Sequence, residues 1–181
     1  MMIRTLVAIT LVTLIAGCSD NSGNLFHDLT EKENVVIYLS KYKLDSVPPD
    51  ISVLRRAKRL SILHDSTEGW AIYPPLSAIE YPIVAPVFRK LPHDITELTN
   101  LEVLNIAALN LIELPPNFDQ LQNLDSLDLS MNKLTISNEV EKLSKIKNLK
   151  YLALEGNKLD TADIEDLKKS NPNLVIIGGL E

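Results

Sequence analysis

The sequence offers few side chains for nucleophilic or metal chemistry. It has one cysteine, Cys18, and three histidines, His27, His64 and His93. One thiol cannot form an intramolecular disulfide. Zinc sites need clustered cysteine and histidine ligands, and these histidines are scattered without ligand spacing. We therefore expect no metal site and no cofactor, and we assign the histidines to surface or loop positions.

Two pairs of aspartates are close enough in sequence for acid–base chemistry. They are Asp125 with Asp128 and Asp160 with Asp163. We place the first pair on a strand surface and the second on a turn, where carboxylates are usually solvated. The sequence has no GxSxG, HExxH or phosphate-binding glycine loop. We expect no catalytic residue and therefore no enzyme.

The amino-terminal residues are typical of a targeting segment. Arg4 supplies a positive charge, and residues 6–16 are apolar, too few to span ~30 Å of hydrocarbon as a helix. The segment IAGC at residues 15–18 resembles the lipobox of bacterial lipoproteins. The resemblance implies cleavage after Gly17 and a diacylglycerol on the sulfur of Cys18. An ordinary signal peptide with an incidental cysteine is the alternative.

Residues 101–172 repeat one leucine pattern three times, with a period of 23 to 25 residues. Each copy contains L-x-x-L-x-L, a turn and a further leucine. Because side chains alternate along a strand, the last two leucines of the motif point to one side. Stacked copies then form a parallel sheet over a continuous core. The aligned residues are Leu101, Leu104, Ile106 and Leu111; Leu124, Leu127, Leu129 and Leu134; and Leu149, Leu152, Leu154 and Leu159.

These residues resemble the leucine-rich repeat family, whose LPxxIxxLxN tail is nearly literal at residues 91–100. The resemblance implies an α/β solenoid. Its curved parallel β-sheet would form the concave face, with short helices, 3₁₀ turns and loops on the convex face. We expect one helix capped by Asn138 and a second over residues 161–169.

The predicted domains are a lipoprotein signal peptide at 1–17, a tether and amino-terminal cap at 18–33, and a repeat domain at 34–181. We count about six repeats. Residues 57–77 are a degenerate repeat or one with a reshaped convex loop, and residues 78–100 fit a further copy with a strand around Tyr81. Residues 174–181 supply the terminal strand.

In this family an asparagine after the strand bonds the backbone of adjacent coils. Asn132 and Asn157 match that position, whereas Leu109 in the preceding copy does not. The resemblance therefore implies a structural asparagine ladder in the carboxyl-terminal half only. Selection of asparagine simply as a turn former is the alternative.

Repeats of this family usually bind partners through the exposed face of the sheet. Our register gives that face an apolar band, which is typical of a protein-binding surface, although small residues there would also permit sheet curvature. The register places Val35 on this face as well. The candidate partner-binding residues are Val36, Tyr38, Arg59, Ile79, Val103, Asn105, Ala107, Asp128, Met131 and Tyr151.

The net charge of -6 argues against nucleic acid as a partner, because phosphate binding needs concentrated lysine and arginine. We expect a monomeric, non-enzymatic module in the bacterial cell envelope, with the Cys18 lipid in the membrane and a protein or glycan partner. In a Gram-negative cell, Ser19 after the cysteine resembles the signal for the outer membrane. The alternative is a structural envelope lipoprotein with no single dedicated partner.

Overall fold

The computed structural model describes residues 25–42, 44, 46–64 and 89–178. The predicted signal peptide, Cys18, Ile79 and the strand expected around Tyr81 lie outside the described residues. Within the described residues, six strands form one parallel sheet in sequence order. The strands are β1 Asn34–Tyr38, β2 Arg59–Leu63, β3 Val103–Asn105, β4 Ser126–Asp128, β5 Tyr151–Ala153 and β6 Val175–Ile177.

Helices and short 3₁₀ turns connect the strands on the other side of the core. The α-helices are α1 Val140–Ser144 and α2 Thr161–Ser170. In the part of the chain that the structure describes, no helix has the length and apolar content needed to cross a membrane. The 3₁₀ helices are His27–Leu29, Leu39–Tyr42, Pro49–Val53, His93–Glu97, Phe118–Gln120 and Ile136–Asn138.

The repeated leucines form the core because they recur at the same register in neighbouring strands. Leu60 pairs with Leu104, Leu104 with Leu127, and Leu127 with Leu152. All four side chains are at most 1% exposed. Each fully buried leucine contributes about 1.5–3 kcal/mol before entropic costs, so stacking identical positions stabilises coils that could not bury their leucines alone.

One pair of neighbouring strands is separated by many more residues than the others. Arg59 of β2 pairs directly with Val103 of β3, which lies 44 residues further along the chain (103 − 59). Val103 pairs with Ser126, which lies only 23 residues further along (126 − 103). The described residues therefore make β2 and β3 neighbours in the sheet, whereas the strand predicted around Tyr81 lies outside the described residues.

The convex side departs from the prediction at one helix and follows it at the other. Asn138 does not cap α1: it ends a 3₁₀ turn, and Glu139 is the residue before the helix. Glu139 is only 2% exposed, and its Oε2 lies 2.8 Å from Lys142 Nζ. The α2 helix starts after Asp160 and ends at Ser170, two residues before Pro172.

The amino-terminal end of the core is closed by an aromatic contact. Phe26 is fully buried and Leu29 is 8% exposed, and the Phe26 ring meets the Tyr42 ring edge to face at 5.4 Å. Burial, with a smaller effect of the Asp28 carboxylate, raises the pKa of Tyr42. These side chains keep water from the first coil, as solenoid ends require.

Candidate protein-binding face

Alternation along each strand places every second residue on the side opposite the core, here called the concave face. The first row along this face comprises Asn34, Arg59, Val103, Ser126, Tyr151 and Val175. The second row comprises Val36, Ser61, Asn105, Asp128, Ala153 and Ile177.

The prediction that Val35 belongs to the concave face is wrong. Val35 pairs with Leu60, so it takes the first inward position of its strand and is 2% exposed. Its neighbour Val36 points outward and is 49% exposed. Two adjacent valines cannot share a face of a strand, because successive side chains point to opposite sides.

The large apolar candidates on this side of the molecule are accessible. Tyr151 in β5 is 52% exposed, and Met131, just after β4, is 62% exposed. Tyr38, Val103 and Ala107 are partly buried. Arg59 is exposed and adds a positive charge near the amino-terminal edge of the sheet. Ile79 lies outside the described residues.

Asn105 and Asp128 occupy paired positions on β3 and β4, and each accepts a hydrogen bond from the backbone two residues further along the chain. The amide N–H of Ala107 donates to Asn105 Oδ1 at 3.1 Å. The amide N–H of Ser130 donates to Asp128 Oδ1 at 2.9 Å. Both side chains therefore fix the turn that follows their own strand.

Met131 lies at the rim of the concave face rather than within a strand. Its backbone is left-handed, with φ of 57°, as are Ala108 and Gly156 at the same position of the adjacent coils. Its amide N–H donates to the Glu155 carbonyl at 2.6 Å. A Cβ added to Gly156 would lie 2.8 Å from Met131 Sδ, so the methionine side chain lies over the glycine.

The two predicted ladder asparagines bond the backbone of the preceding coil. Asn132 is 4% exposed, and its Oδ1 accepts from the amides of Leu109 and Leu111 at 3.0 and 3.1 Å. Asn157 Oδ1 accepts from the Leu134 amide at 3.0 Å. Each asparagine therefore satisfies inward-facing backbone groups that water does not reach.

These asparagines, the stacked inward leucines and the parallel strands together decide the architecture. The fold is a leucine-rich repeat solenoid. No family model matches the chain. Over 130 residues, 71% of this chain, it is 32% identical to the protein flightless-1 homolog of Caenorhabditis elegans. The aligned region spans only 9% of that relative's length.

Two solved structures also resemble this solenoid. A leucine-rich repeat protein of Leptospira interrogans is 26% identical, with a TM-score of 0.44, over 71% of this chain and 33% of that one. Internalin C2 of Listeria monocytogenes is 17% identical, with a TM-score of 0.45, over 74% of this chain and 48% of that one.

The solenoid has a second asparagine ladder, which was not predicted from the sequence. It lies where each coil approaches its strand: the Nδ2 groups of Asn100, Asn123 and Asn148 donate to the carbonyls of Arg55, Thr99 and Gln122 at 2.7 to 2.8 Å. The signal was present in the sequence as an asparagine three residues before each of β3, β4 and β5.

The aspartates considered for acid–base chemistry have structural partners. Asp160 and Asp163 form a capping box, in which each side chain accepts from the other residue's backbone N–H at 3.0 Å. Asp125 lies 3.6 Å from Lys150 of the next coil. Among the described residues, no three histidine, aspartate or glutamate side chains are grouped to hold a metal ion.

A polar cleft of about 550 Å³ lies beside the second asparagine ladder. Lys58 and Glu33 form an ion pair there at 3.1 Å. Its lining is almost entirely charged or amide side chains, namely Glu33, Arg56, Lys58, Asn100, Glu102 and Asn123. Among the described residues, every exposed large apolar side chain except Ile112 lies instead on the concave face or its rim, which makes that face the better protein-binding candidate.

Proposed function

We propose that this protein is a non-enzymatic interaction module that binds a protein partner through its concave face. The observation that carries the proposal is the exposure of Tyr151 and its strand neighbour Val175 on the concave face, with Met131 exposed at the rim. A cluster of exposed apolar side chains marks an interaction site more often than isolated exposure does. The sheet holds the cluster in a fixed shape, which limits the entropy lost on binding.

Tyr151 is the best candidate for the energetic centre of the interface. It stands between Ser126 and Val175 in the first row, so its ring is flanked by smaller side chains. Tyrosine combines a large apolar surface with a hydroxyl, and it is enriched among residues that dominate binding energy. Binding would bury its exposed half, while the smaller neighbours would set the shape of the contact.

The test is capture of partners from crosslinked cell envelopes by the full-length protein. Tyr151→Asp and Val103→Asp should each abolish capture of the dominant partner, because they place a charge in an apolar interface. Ile112→Asp is the control, since Ile112 is 42% exposed and lies outside the strands. Circular dichroism melts would verify that all three variants fold. Unchanged capture by the two concave-face variants would contradict the proposal.

We also propose that Cys18 carries a lipid that anchors the module in a bacterial envelope, at the outer membrane of a Gram-negative cell. The support is the IAGC sequence at residues 15–18 and its resemblance to a lipobox. Incorporation of an alkyne-tagged fatty acid into the full chain, and its loss in Cys18→Ser, is the expected result. Secretion of an unlabelled protein from the wild-type gene would favour an ordinary signal peptide.

The structural alternative makes a different prediction in the same capture experiment. A protein that only stabilises the envelope would recover abundant envelope proteins, equally with the wild type and with Tyr151→Asp. One dominant partner that is lost with Tyr151→Asp but retained with Ile112→Asp excludes that alternative.

A further inference from the structure

Four residues of β4 and β5 form a square on the concave face. Ser126 pairs with Tyr151, and Asp128 pairs with Ala153. Neighbouring strands lie ~4.8 Å apart and alternate residues of one strand ~6.6 Å apart, so residues at opposite corners are separated by about 8 Å. The two larger side chains, Tyr151 and Asp128, stand at opposite corners. The small side chains of Ser126 and Ala153 occupy the other two, which leaves a recess between the tyrosine ring and the carboxylate.

The carboxylate of Asp128 carries a charge that its structural role does not need. Asp128 Oδ1 accepts from the Ser130 amide at 2.9 Å. Asn105 occupies the paired position of the preceding coil, and its neutral side chain accepts from the Ala107 amide at 3.1 Å in the same way. A side-chain oxygen therefore suffices to fix this turn. The negative charge of Asp128 is additional to that role, and it lies on the face that we propose to bind a partner.

No cation within the described residues forms an ion pair with Asp128. Lys150, which precedes Tyr151 in the chain, lies 3.6 Å from Asp125 instead. An ionised carboxylate offers about four acceptor sites, and the turn uses one of them. The recess is therefore suited to a cation that another molecule supplies.

We propose that the recess between Asp128 and Tyr151 binds an arginine side chain of the protein partner. This inference rests on the proposed function and names the chemistry of its partner. A guanidinium is attracted to the face of a tyrosine ring and donates paired N–H groups to a carboxylate. Contacts of about 3.5–4 Å on each side fit one planar group between the two larger side chains. A lysine would bring the charge without that planar shape.

The apolar neighbour of Tyr151 would strengthen this contact. Val175 pairs with Tyr151 on the side away from the recess and is 49% exposed. A partner that covers both side chains would remove water from the edge of the recess. Attraction between opposite charges grows as water is excluded. An arginine in the recess would therefore contribute more than an exposed pair such as Arg56 with Glu31, whose side chains are 63% and 77% exposed.

The test uses the dominant protein that the wild-type full chain captures from crosslinked envelopes, purified and titrated against the full chain in detergent. Asp128→Asn keeps the oxygen that fixes the turn and removes the charge, so it should raise the dissociation constant about tenfold or more. Asp166→Asn is the matched control, because it removes the same charge from an exposed position of α2 and should leave the constant unchanged. Ala153→Leu fills the recess without changing any charge, and it should also weaken binding.

Chemical blocking of the purified partner identifies the cation. Phenylglyoxal blocks guanidinium groups, so the wild-type chain should then bind the treated partner no better than Asp128→Asn does. Acetylation of the partner's lysines should leave the difference between wild type and Asp128→Asn intact. Melting curves would verify that Asp128→Asn and Ala153→Leu are folded.

Equal dissociation constants for the wild type and Asp128→Asn would overturn the proposal. Loss of their difference on lysine acetylation, but not with phenylglyoxal, would also overturn it. A partner that is lost with Tyr151→Asp but bound equally by Asp128→Asn would leave the proposed function standing without an arginine in the recess. A wild type that captures no dominant partner would overturn both.

Discussion

The amide N–H of Leu109 donates to Asn132 Oδ1 at 3.0 Å. Asn132 and Leu109 occupy equivalent positions in successive coils. Each ladder asparagine therefore serves the coil before it, and Asn157 bonds the Leu134 amide in the same way. A leucine at position 109 leaves no backbone amide of its own coil unpaired at this turn, because Asn132 accepts from the Leu109 and Leu111 amides. The ladder begins at Asn132 and not at the first turn of the solenoid.

Asn132→Ala should lower the free energy of unfolding by about 1–3 kcal/mol, the usual cost of leaving buried polar groups without partners. The substitution removes four short bonds, to the amides of Leu109 and Leu111 and the carbonyls of Ile106 and Leu129. Urea denaturation monitored by circular dichroism measures the change. Asn117→Ala is the control, because Asn117 is exposed and its side chain caps nothing. Equal shifts for both variants would refute the structural role of the ladder.

Asn123→Ala should destabilise the protein less, by about 0.5–1.5 kcal/mol, the net value of an ordinary hydrogen bond. Asn123 donates to the Thr99 carbonyl at 2.8 Å, but its side chain is exposed, so water replaces the lost donor. The same urea measurement compares the stability contributed by one asparagine of each ladder. A cost for Asn123→Ala equal to that for Asn132→Ala would show that exposure does not reduce the contribution of the second ladder.

The Lys142–Glu139 pair is the most buried ion pair in the described part of the chain. The Glu139 side chain is 2% exposed and that of Lys142 is 24% exposed, and Lys142 Nζ also donates to the Leu114 carbonyl at 2.8 Å. Lys142→Met should cost about 2–3 kcal/mol, near the lower end for breaking a buried pair, because the lysine retains some solvent.

Lys145→Met is the control for that prediction. Lys145 pairs with Glu141 at 2.7 Å, but both side chains are at least half exposed. The hydrogen bond and charge of Lys145 lower the pKa of Glu141, so this pair is present above the ordinary glutamate pKa and is lost as the pH falls. At neutral pH in moderate salt we expect almost no change in urea stability, because water screens exposed charges. Similar losses for both lysine variants would contradict the assigned burial.

The sequence predicted the fold best where the physics is periodic. Leu104, Leu127 and Leu152 pair as the motif implied, because spacing alone fixes which residues stack when each coil has nearly the same length. It did not predict the pairing of Arg59 with Val103, because local periodicity does not show which distant segments become neighbouring strands. Val35 was misplaced for a related reason, since the first strand lacks a preceding copy to fix its register.

The candidate site could be predicted in outline but not in its chemistry. Strand alternation identified Val36 and Tyr151 as outward residues, and both are about half exposed. The sequence did not reveal that Asn105 and Asp128 bond the turns after their own strands. An outward polar side chain can hydrogen-bond either to its own backbone or to a partner. Which of the two it does depends on the geometry of the turn after the strand.

Gly156→Ala should test the rim of the concave face without adding charge. Gly156 has φ of +76°, and a Cβ there would approach the Met131 sulfur to 2.8 Å and its Cα to 3.2 Å. We expect a stability loss of about 1–2 kcal/mol from the left-handed backbone and displacement of the flexible methionine. Gly178→Ala is the comparison, and it should cost more, because its Cβ would lie 2.5 Å from the backbone of Glu155. If Met131 contributes to partner binding, Gly156→Ala weakens capture while the protein stays folded, and undiminished capture would remove Met131 from the binding face.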